Sequence, residues 1–496
     1  MKDFHAVYKK RPRKRTKIVA TIGPACDNEE TLRKMVYAGL NVVRINFSHA
    51  NYEALDSIVD MIRKVSEDLN FPIAILGDLR GPRMRVGEVE NGAIELKTGD
   101  KIKLTPEKII GTADLISVTF KGLASNVWSG NTILLDDGNL KLIVEKIDDT
   151  GVIICRITRG GTLSSNRGIN LPGVKVDLPS ISAKDFADVD YAISKEFDFL
   201  ALSFVQSAND VRLLNAYLAA KQAKIPVISK IEKKSALTDI KAIVEESYGI
   251  MVARGDLALE MSISDVPIAQ KQIIAVCRQA AKPVITATQM LESMTHSHKP
   301  TRAEATDVAN AVLDGTDALM LSGETAIGDY PVDVVETMSK IAGRTEYAWI
   351  DGELPPPPDL ELSAGIAANV AQAGSKLVQS LDAKMVTTYT TSGATARRIA
   401  SHRIPVPILA FSSSLQVHRQ LALTWGIRTM PVEKRLKDVN TMFDLAMRTA
   451  LESGLVEPRD ILIMIGSARP YGIKGRTNSL RVERIPDDII MPDKNF

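Results

Sequence analysis

PVISKIEKKSALTDIKAIVEESYGIMVARGDL, residues 226–257, decides the fold. It opens on a short Val/Ile run, crosses a helix-like segment and returns to a second apolar run, GIMVA. Two β-rich runs joined in this way make a βαβ unit whose strands are parallel and buried on both faces. Both runs end in charge: Lys230 and Glu232 close the first, Asp256 follows the second.

The same unit recurs on either side. KIVATIG (17–23), NVVRINFS (41–48), PIAILGDL (72–79), DFLALSFV (198–205), PVITATQM (283–290) and ALMLSGE (318–324) are equally rich in Val, Ile and Leu. Intervening stretches such as 29–38, 208–222 and 267–281 are amphipathic. Eight strand–helix units predict an α/β chain folded as a (β/α)8 barrel. Several runs have polar tips: Arg44, Asn46 and Ser48; Asp78; Thr288; Ser322 with Glu324. All strand C-termini of a barrel open on one face, so these tips are expected to share one site.

The third unit breaks the rhythm. After Asp78 comes GPRMRVG, and residues 83–176 then hold short alternating runs with a hairpin signal at Asp137-Gly138. A βα loop of that length is far beyond the usual few residues, so 83–176 is expected to be an inserted small β-barrel domain. The remainder, 16–82 and 177–349, is about 240 residues, close to the roughly 250 of a typical barrel. GELPPPPDL (352–360) reads as a stiff linker, and 359–496 alternates again, predicting a C-terminal α/β domain.

Composition narrows the function class. The 62 Lys/Arg against 60 Asp/Glu give +2, but KKRPRKRTK (9–17) alone carries seven cations. Removing those seven from +2 leaves the rest of the chain at −5, which argues against a body built for nucleic acid. The basic arm, 1–15, is expected to be a solvated leader. No apolar run reaches 18 residues, so no membrane partner is expected. No apolar secretion signal stands at the N-terminus. Cys26, Cys155 and Cys277 show neither metal nor disulfide spacing, and a cytoplasmic protein is expected.

The chemistry concentrates at the strand tips. Glu232 and Asp256 are hard oxygen donors on consecutive strands, suited to Mg²⁺ or Mn²⁺ with positions left open for phosphate oxygens. Strand periodicity aims Lys230 into the same site as Glu232, and a fixed ammonium beside a metal is what phosphoryl transfer demands. Arg44 and Arg85 add guanidiniums able to grip phosphate or carboxylate. The Gly255-Asp256 turn offers backbone N–H groups to a carboxylate, and Thr288 adds a hydroxyl. The alternative is an internal Lys–carboxylate pair that merely closes the barrel top.

In the C-terminal part, TTSGATARRIA (390–400) sets Thr390, Thr391, Ser392, Gly393 and Thr395 between a strand and a helix, where hydroxyls and N–H groups make a phosphate cradle. SARPYGIKGRTNS (467–479) contributes Arg469, Lys474 and Arg476. An ordinary capped helix beside a solvated basic loop is the plainer alternative.

These residues carry a resemblance. NVVRINFSH (41–49), GDLRGPRMR (77–85), NLPGVKVDLP (170–179), SKIEKKSAL (229–237), MVARGDLALE (251–260), TATQMLESM (286–294), PTRAEATDVANAV (300–312) and LSGETAIGDYP (321–331) resemble pyruvate kinase, in order and over most of the chain. The resemblance implies a cytoplasmic homotetramer that transfers phosphoryl from phosphoenolpyruvate to ADP, giving pyruvate and ATP. It implies that Glu232 and Asp256 ligate Mg²⁺ and that Lys230 stabilises the phosphoryl in flight. Gly255, Asp256, Thr288 and Ser322 would hold substrate, with Thr288 near protonation of the enolate. Arg85, Arg167, Asn46 and His49 match positions near the nucleotide, and Asn46, Ser48, Asp78 and Leu79 match the monovalent-cation site. The β domain would act as a lid. The C-terminal cradle resembles the family's effector site and implies activation by a phosphorylated metabolite.

One departure bears on K⁺. Members that need it usually read DTKGPEIRT where this chain reads DLRGPRMRV (78–86). Arg83 replaces the glutamate and Val86 the second threonine, and K⁺-independent members have a lysine at the first position. A tethered guanidinium at Arg83 supplies the charge that K⁺ would bring, so K⁺ is not expected to be required. The alternatives are a catalytically silent effector sensor, and another phosphoenolpyruvate-using barrel enzyme.

Overall fold

The computed structural model describes residues 5–49, 51–174, 176, 179–358, 365–432, 439–467 and 477–487. Eight parallel strands form a closed barrel in sequence order: β1 (Lys17–Thr21), β2 (Val42–Asn46), β3 (Ala74–Asp78), β4 (Phe199–Leu202), β5 (Val227–Ile231), β6 (Gly249–Ala253), β7 (Val284–Ala287) and β8 (Ala318–Leu321). The eight quoted runs are these eight strands. Alternation along each strand sorts its side chains. Val19, Val42, Leu76, Phe199, Ile228, Met251, Ile285 and Met320 fill the interior, while Ile18, Val43, Ile75 and Val252 pack outward against the helices.

This period of two has a direct consequence for function. Two residues beyond Val42, Leu76 and Ile228, the next inward positions are Arg44, Asp78 and Lys230. The apolar interior therefore ends in a charged layer at the strand C-termini. The other end of the barrel is plugged, because Ala422 and Leu423 join the interior cluster. There the Trp425 backbone N–H donates to Asp317 at 3.0 Å, and Arg403 pairs with Asp317 at 3.0 Å.

Between β3 and the helix Ala183–Ser194 lies a separate β unit with its own core of residues such as Ile102, Leu104, Ile133, Leu142 and Ile157. Its six-stranded sheet runs in the order 169–170, 132–135, 140–147, 153–159, 101–105, 115–117, and a two-stranded ribbon pairs 93–96 with 161–164. Asp136, Asp137 and Gly138 turn the hairpin with φ of 50°, 50° and 86°, the left-handed values such a turn needs. Arg85 bridges to Gly168 and Val86 to Val118. Those partners adjoin the two edge strands, so the segment leaving β3 draws the curled sheet together.

The C-terminal unit is a five-stranded sheet, β9 (Met385–Tyr389), β10 (Ile408–Ser412), β11 (Ile427–Pro431), β12 (Ile461–Gly466) and β13 (Ser479–Arg484), ordered β11-β10-β9-β12-β13 with only β13 antiparallel.

The basic arm is not a solvated leader over its described part. Residues His5–Lys10 form a helix, Val7 is buried, and Arg11 lies 4.0 Å over the Phe71 ring. The Arg15 and Thr16 backbone N–H groups both donate to the Glu346 carboxylate at 2.6 Å. Long cationic side chains bury their stems on apolar surface, which a charge count does not reveal.

Candidate active site at the barrel mouth

The charged layer is one connected network. Lys230 Nζ donates to Ser203 Oγ at 2.8 Å and lies 2.9 Å from Glu232 Oε1 and 3.2 Å from Asp78 Oδ1. Arg44 Nε reaches Asp78 Oδ2 at 2.7 Å, and Arg44 Nη1 donates to Thr21 Oγ1 at 2.9 Å. Glu232 Oε2 accepts the Phe204 N–H at 2.6 Å. Phe204 holds a φ of 55°, an uncommon conformation for a bulky residue, and so turns its N–H onto that carboxylate.

Burial and neighbouring charge together set the protonation. Burial opposes charge on Asp78, but Lys230 and Arg44 outweigh it and hold the carboxyl below its usual range. Burial likewise opposes the Lys230 charge, yet Asp78 and Glu232 raise its pKa and keep it an ammonium. Glu232 is pushed up, first by burial, with the nearby Asp256 adding to it against Lys230. A desolvated carboxylate facing a second carboxylate is poised for a cation. Glu232 and Asp256 thus fit a divalent ion, on the chemistry of the donors and the repulsion between them. No group of three or more His, Cys, Asp or Glu gathers among the described residues, so a site here would draw its other ligands from substrate and water.

A second cluster stands at the tips of the next two strands, β6 and β7. Thr288, just past β7, has a φ of 69°. Its Oγ1 accepts the Gly255 N–H at 2.8 Å and donates to Ala287 O at 2.6 Å. The Gly255 N–H, expected to be open for a carboxylate, is satisfied by Thr288. Arg254 holds this loop: Nη2 donates to Thr288 O at 2.7 Å, Nε to Ala287 O at 3.3 Å, and Nη1 pairs with Asp307 at 2.7 Å. Ser322 follows β8, its N–H donating to Glu324 Oε2 at 2.6 Å.

The other expected residues are dispersed. Arg85 donates to Asn166 O at 2.6 Å, and burial with the adjacent Arg80 and Arg83 lowers its pKa. Arg83 stands 5.8 Å over the Phe204 ring, lining with Lys233 and Asp256 a small cleft between mouth and β unit. Arg167 pairs with Asp136 at 3.2 Å. Asn46 Oδ1 accepts the Ser48 N–H at 3.1 Å, and Leu79 O accepts Ser203 Oγ at 2.8 Å. His49 closes the turn Phe47–His49; its side chain lies outside the described set. In the C-terminal unit Thr390 Oγ1 accepts the Gly393 N–H at 2.8 Å, Ser392 O accepts from Arg397 at 3.2 Å, and Thr395 shares a 2.7 Å hydrogen bond with Thr477. Gly393, with φ 76°, begins the helix Ala394–Ser401, and Thr391 is exposed beside it. Arg469, Lys474 and Arg476 fall outside the described residues.

Two residues escaped the sequence reading. Ser203 is the polar tip of DFLALSFV, and Arg254 stands inside the quoted ARGD; both were legible as polar tips, neither as a partner of Lys230 or Thr288.

Comparison with known proteins agrees. The family described as pyruvate kinase, barrel domain, matches residues 13–335, and pyruvate kinase, alpha/beta domain, matches 368–483. A pyruvate kinase of Geobacillus stearothermophilus is 43% identical over 480 residues, spanning 96% of this chain and 81% of the relative. One from Mycobacterium tuberculosis is 39% identical, spanning 96% of this chain and 99% of its own. The crystal structure of a pyruvate kinase from Cryptosporidium parvum superimposes with a TM-score of 0.88 at 36% identity, covering 97% of both chains. With a closed barrel, an inserted β unit and a C-terminal α/β sheet, and with both family models matched, the chain belongs to the pyruvate kinase family and is a phosphotransferase.

Proposed function

We propose that the barrel mouth transfers the phosphoryl group of phosphoenolpyruvate to ADP, giving pyruvate and ATP. The observation that carries this reading is Lys230, a buried ammonium kept charged by Asp78 and Glu232 at 3.2 and 2.9 Å. The phosphorus–oxygen bond to the enol breaks, and a β-phosphate oxygen of ADP forms the new one. Lys230 faces the charge on the phosphoryl oxygens as this happens; such positioned charge is the main catalytic lever in phosphoryl transfer. The substrate carboxylate takes the place of the Thr288 hydroxyl as acceptor for the Gly255 N–H and accepts the Asp256 N–H as well. That frees Thr288 Oγ1 to stand near the enolate carbon as it gains its proton. Glu232 and Asp256 would hold Mg²⁺ or Mn²⁺, which when bound neutralises phosphate oxygens. Arg44, beside Asp78, and Ser322 complete the substrate wall; Arg85, Arg167, Asn46 and His49 face the nucleotide. The β unit, 83–176, closes over the mouth and excludes water. Phosphorus NMR tests the reading: phosphoenolpyruvate with ADP and Mg²⁺ should lose its signal as the γ-phosphate of ATP appears, whereas phosphoenolpyruvate consumed without ATP overturns it.

K⁺ is not required in this reading. Both oxygens of Asp78 are engaged by Arg44 and Lys230, Asn46 by Ser48, and Leu79 O by Ser203. Arg83 has no carboxylate partner among the described residues and supplies the charge. We further propose that Thr390, Thr391, Ser392, Gly393 and Thr395, with Arg469, Lys474 and Arg476, bind a phosphorylated activator, and that the enzyme works as a cytoplasmic homotetramer. No helix among the described residues is long and apolar enough to cross a membrane.

A further inference from the structure

Two chain crossings join the β unit to the barrel. The outgoing one follows β3 through 79–82, and the returning one reaches the helix Ala183–Ser194 through 179–182. Both meet at one side chain, Asp185, which is fully buried. Its Oδ2 accepts the Ser182 N–H at 2.8 Å and the Ser182 hydroxyl at 2.6 Å, completing the capping box of that helix. A capping box asks no more of a carboxylate than this. Oδ1 goes further and accepts the Gly81 N–H at 3.0 Å, from a residue 104 positions earlier in the chain. Among the described residues this is the one hydrogen bond made anywhere in 80–83. Gly81 also leans on the supports of the charged layer. Its φ is 68°, a left-handed value open to glycine, and a Cβ there would lie 2.9 Å from the Phe204 ring and 3.1 Å from Ser203 Cβ. Ser203 and Phe204 are the residues whose hydroxyl and N–H hold Lys230 and Glu232. The Leu79 carbonyl accepts that same Ser203 hydroxyl at 2.8 Å.

We propose that Asp185 is a positioning residue: its carboxylate pins both crossings at one point and so fixes where the β unit stands over the barrel mouth, and Gly81 carries that position to Ser203 and Phe204. The effect on rate rests on the phosphoryl-transfer reading above; the pin itself concerns the hinge alone. The chemistry of the carboxylate decides which substitution exposes it. A carboxylate accepts on both oxygens, and three donors converge on this one. Asparagine keeps the shape but offers a single oxygen, so it serves Gly81 or Ser182 and turns an NH2 toward the other N–H. Ser182→Ala, by contrast, removes the hydroxyl and leaves both crossings bonded through Asp185. A helix cap and a hinge pin therefore predict different orders of effect for the two variants.

The test uses the full-length protein with nitroxide labels at Trp128→Cys, on the β unit, and Leu213→Cys, on the helix Ala208–Ala220; both side chains are exposed and the three native cysteines are buried. Pulsed dipolar spectroscopy should give the same label-to-label distance distribution after Ser182→Ala as before it, and a broader or displaced one after Asp185→Asn. In steady-state kinetics kcat should fall at least about tenfold in Asp185→Asn and stay within about twofold in Ser182→Ala, as misplacement of a catalytic wall would have it. If Asp185→Asn does not fold, hydrogen exchange in the wild type decides: the Gly81 amide should exchange more slowly than those of Arg80 and Arg83. A distribution unchanged by Asp185→Asn, an equal effect of Ser182→Ala, an unaltered kcat beside a broadened distribution, or a Gly81 amide as fast as its neighbours would each overturn the proposal. Absence of ADP-dependent pyruvate from the wild type would overturn the reaction reading instead, and the distance distribution would still judge the pin.

Discussion

A strand's period of two makes the central residues readable one at a time. Lys230 and Glu232 share a face because they are two apart on β5 and its continuation, and their 2.9 Å contact follows. Arg44 and Asp78 obey the same rule on neighbouring strands. Arg254 does not, because its role depends on a loop more than thirty residues later that turns through positive φ at Thr288 and Gln289. No local pattern announces that a guanidinium will hold those carbonyls. Arg254 is a positioning residue in the proposed reaction: it touches the Thr288 backbone, and Thr288 Oγ1 is the group proposed to stand near the enolate carbon. Arg254→Met is expected to lower kcat by about 10²-fold, the usual result of a misplacement near 1 Å. KM for phosphoenolpyruvate should change less, and Arg254→Lys should restore part of the loss. Steady-state kinetics of the two variants read this out, and an unaltered kcat in Arg254→Met would refute the role.

At the scale of elements, repeated runs and the Asp137-Gly138 turn were enough to expect eight barrel strands and a β insertion, since each signal is local. What closes the curl of the insertion, Arg85 to Gly168 and Val86 to Val118, pairs residues tens of positions apart and leaves no mark in composition. The arm misled for a related reason. KKRPRKRTK reads as solvated charge, yet Phe71 and Glu346 lie far along the chain and give its cations an aromatic face and its backbone an acceptor. Cation–aromatic contacts of this kind add about 0.5–2 kcal/mol each, and the capped carboxylate adds charge-assisted hydrogen bonds. Deleting residues 1–15 is therefore expected to lower the midpoint of thermal unfolding by several degrees, taking roughly 2–4 °C per kcal/mol for a unit of this size. A melting curve superimposable on that of the whole chain would return the arm to a solvated leader.

For the whole molecule, the C-terminal unit plugs the barrel with Leu423 and pairs Arg403 with the barrel's Asp317, so the proposed effector cradle and the proposed catalytic mouth stand on docked units. This supports two expectations. Replacing K⁺ by a tetraalkylammonium salt should leave the initial rate nearly unchanged; a fall of about tenfold, equivalent to about 1.4 kcal/mol in the barrier, would show that Arg83 does not substitute for the ion. A phosphorylated effector, screened among fructose bisphosphate, sugar monophosphates and AMP, should lower the half-saturating phosphoenolpyruvate concentration, and the cradle is refuted if none shifts it. Neither depends on the reaction assignment as directly as Lys230 does. The decisive measurement is pyruvate formation from phosphoenolpyruvate and ADP with Mg²⁺, run side by side on the wild type and on Lys230→Met, each shown to be folded by its melting curve. The account predicts ADP-dependent pyruvate from the wild type and a rate lower by about 10³-fold or more in the variant; equal rates, or no ADP-dependent pyruvate from the wild type, would contradict it.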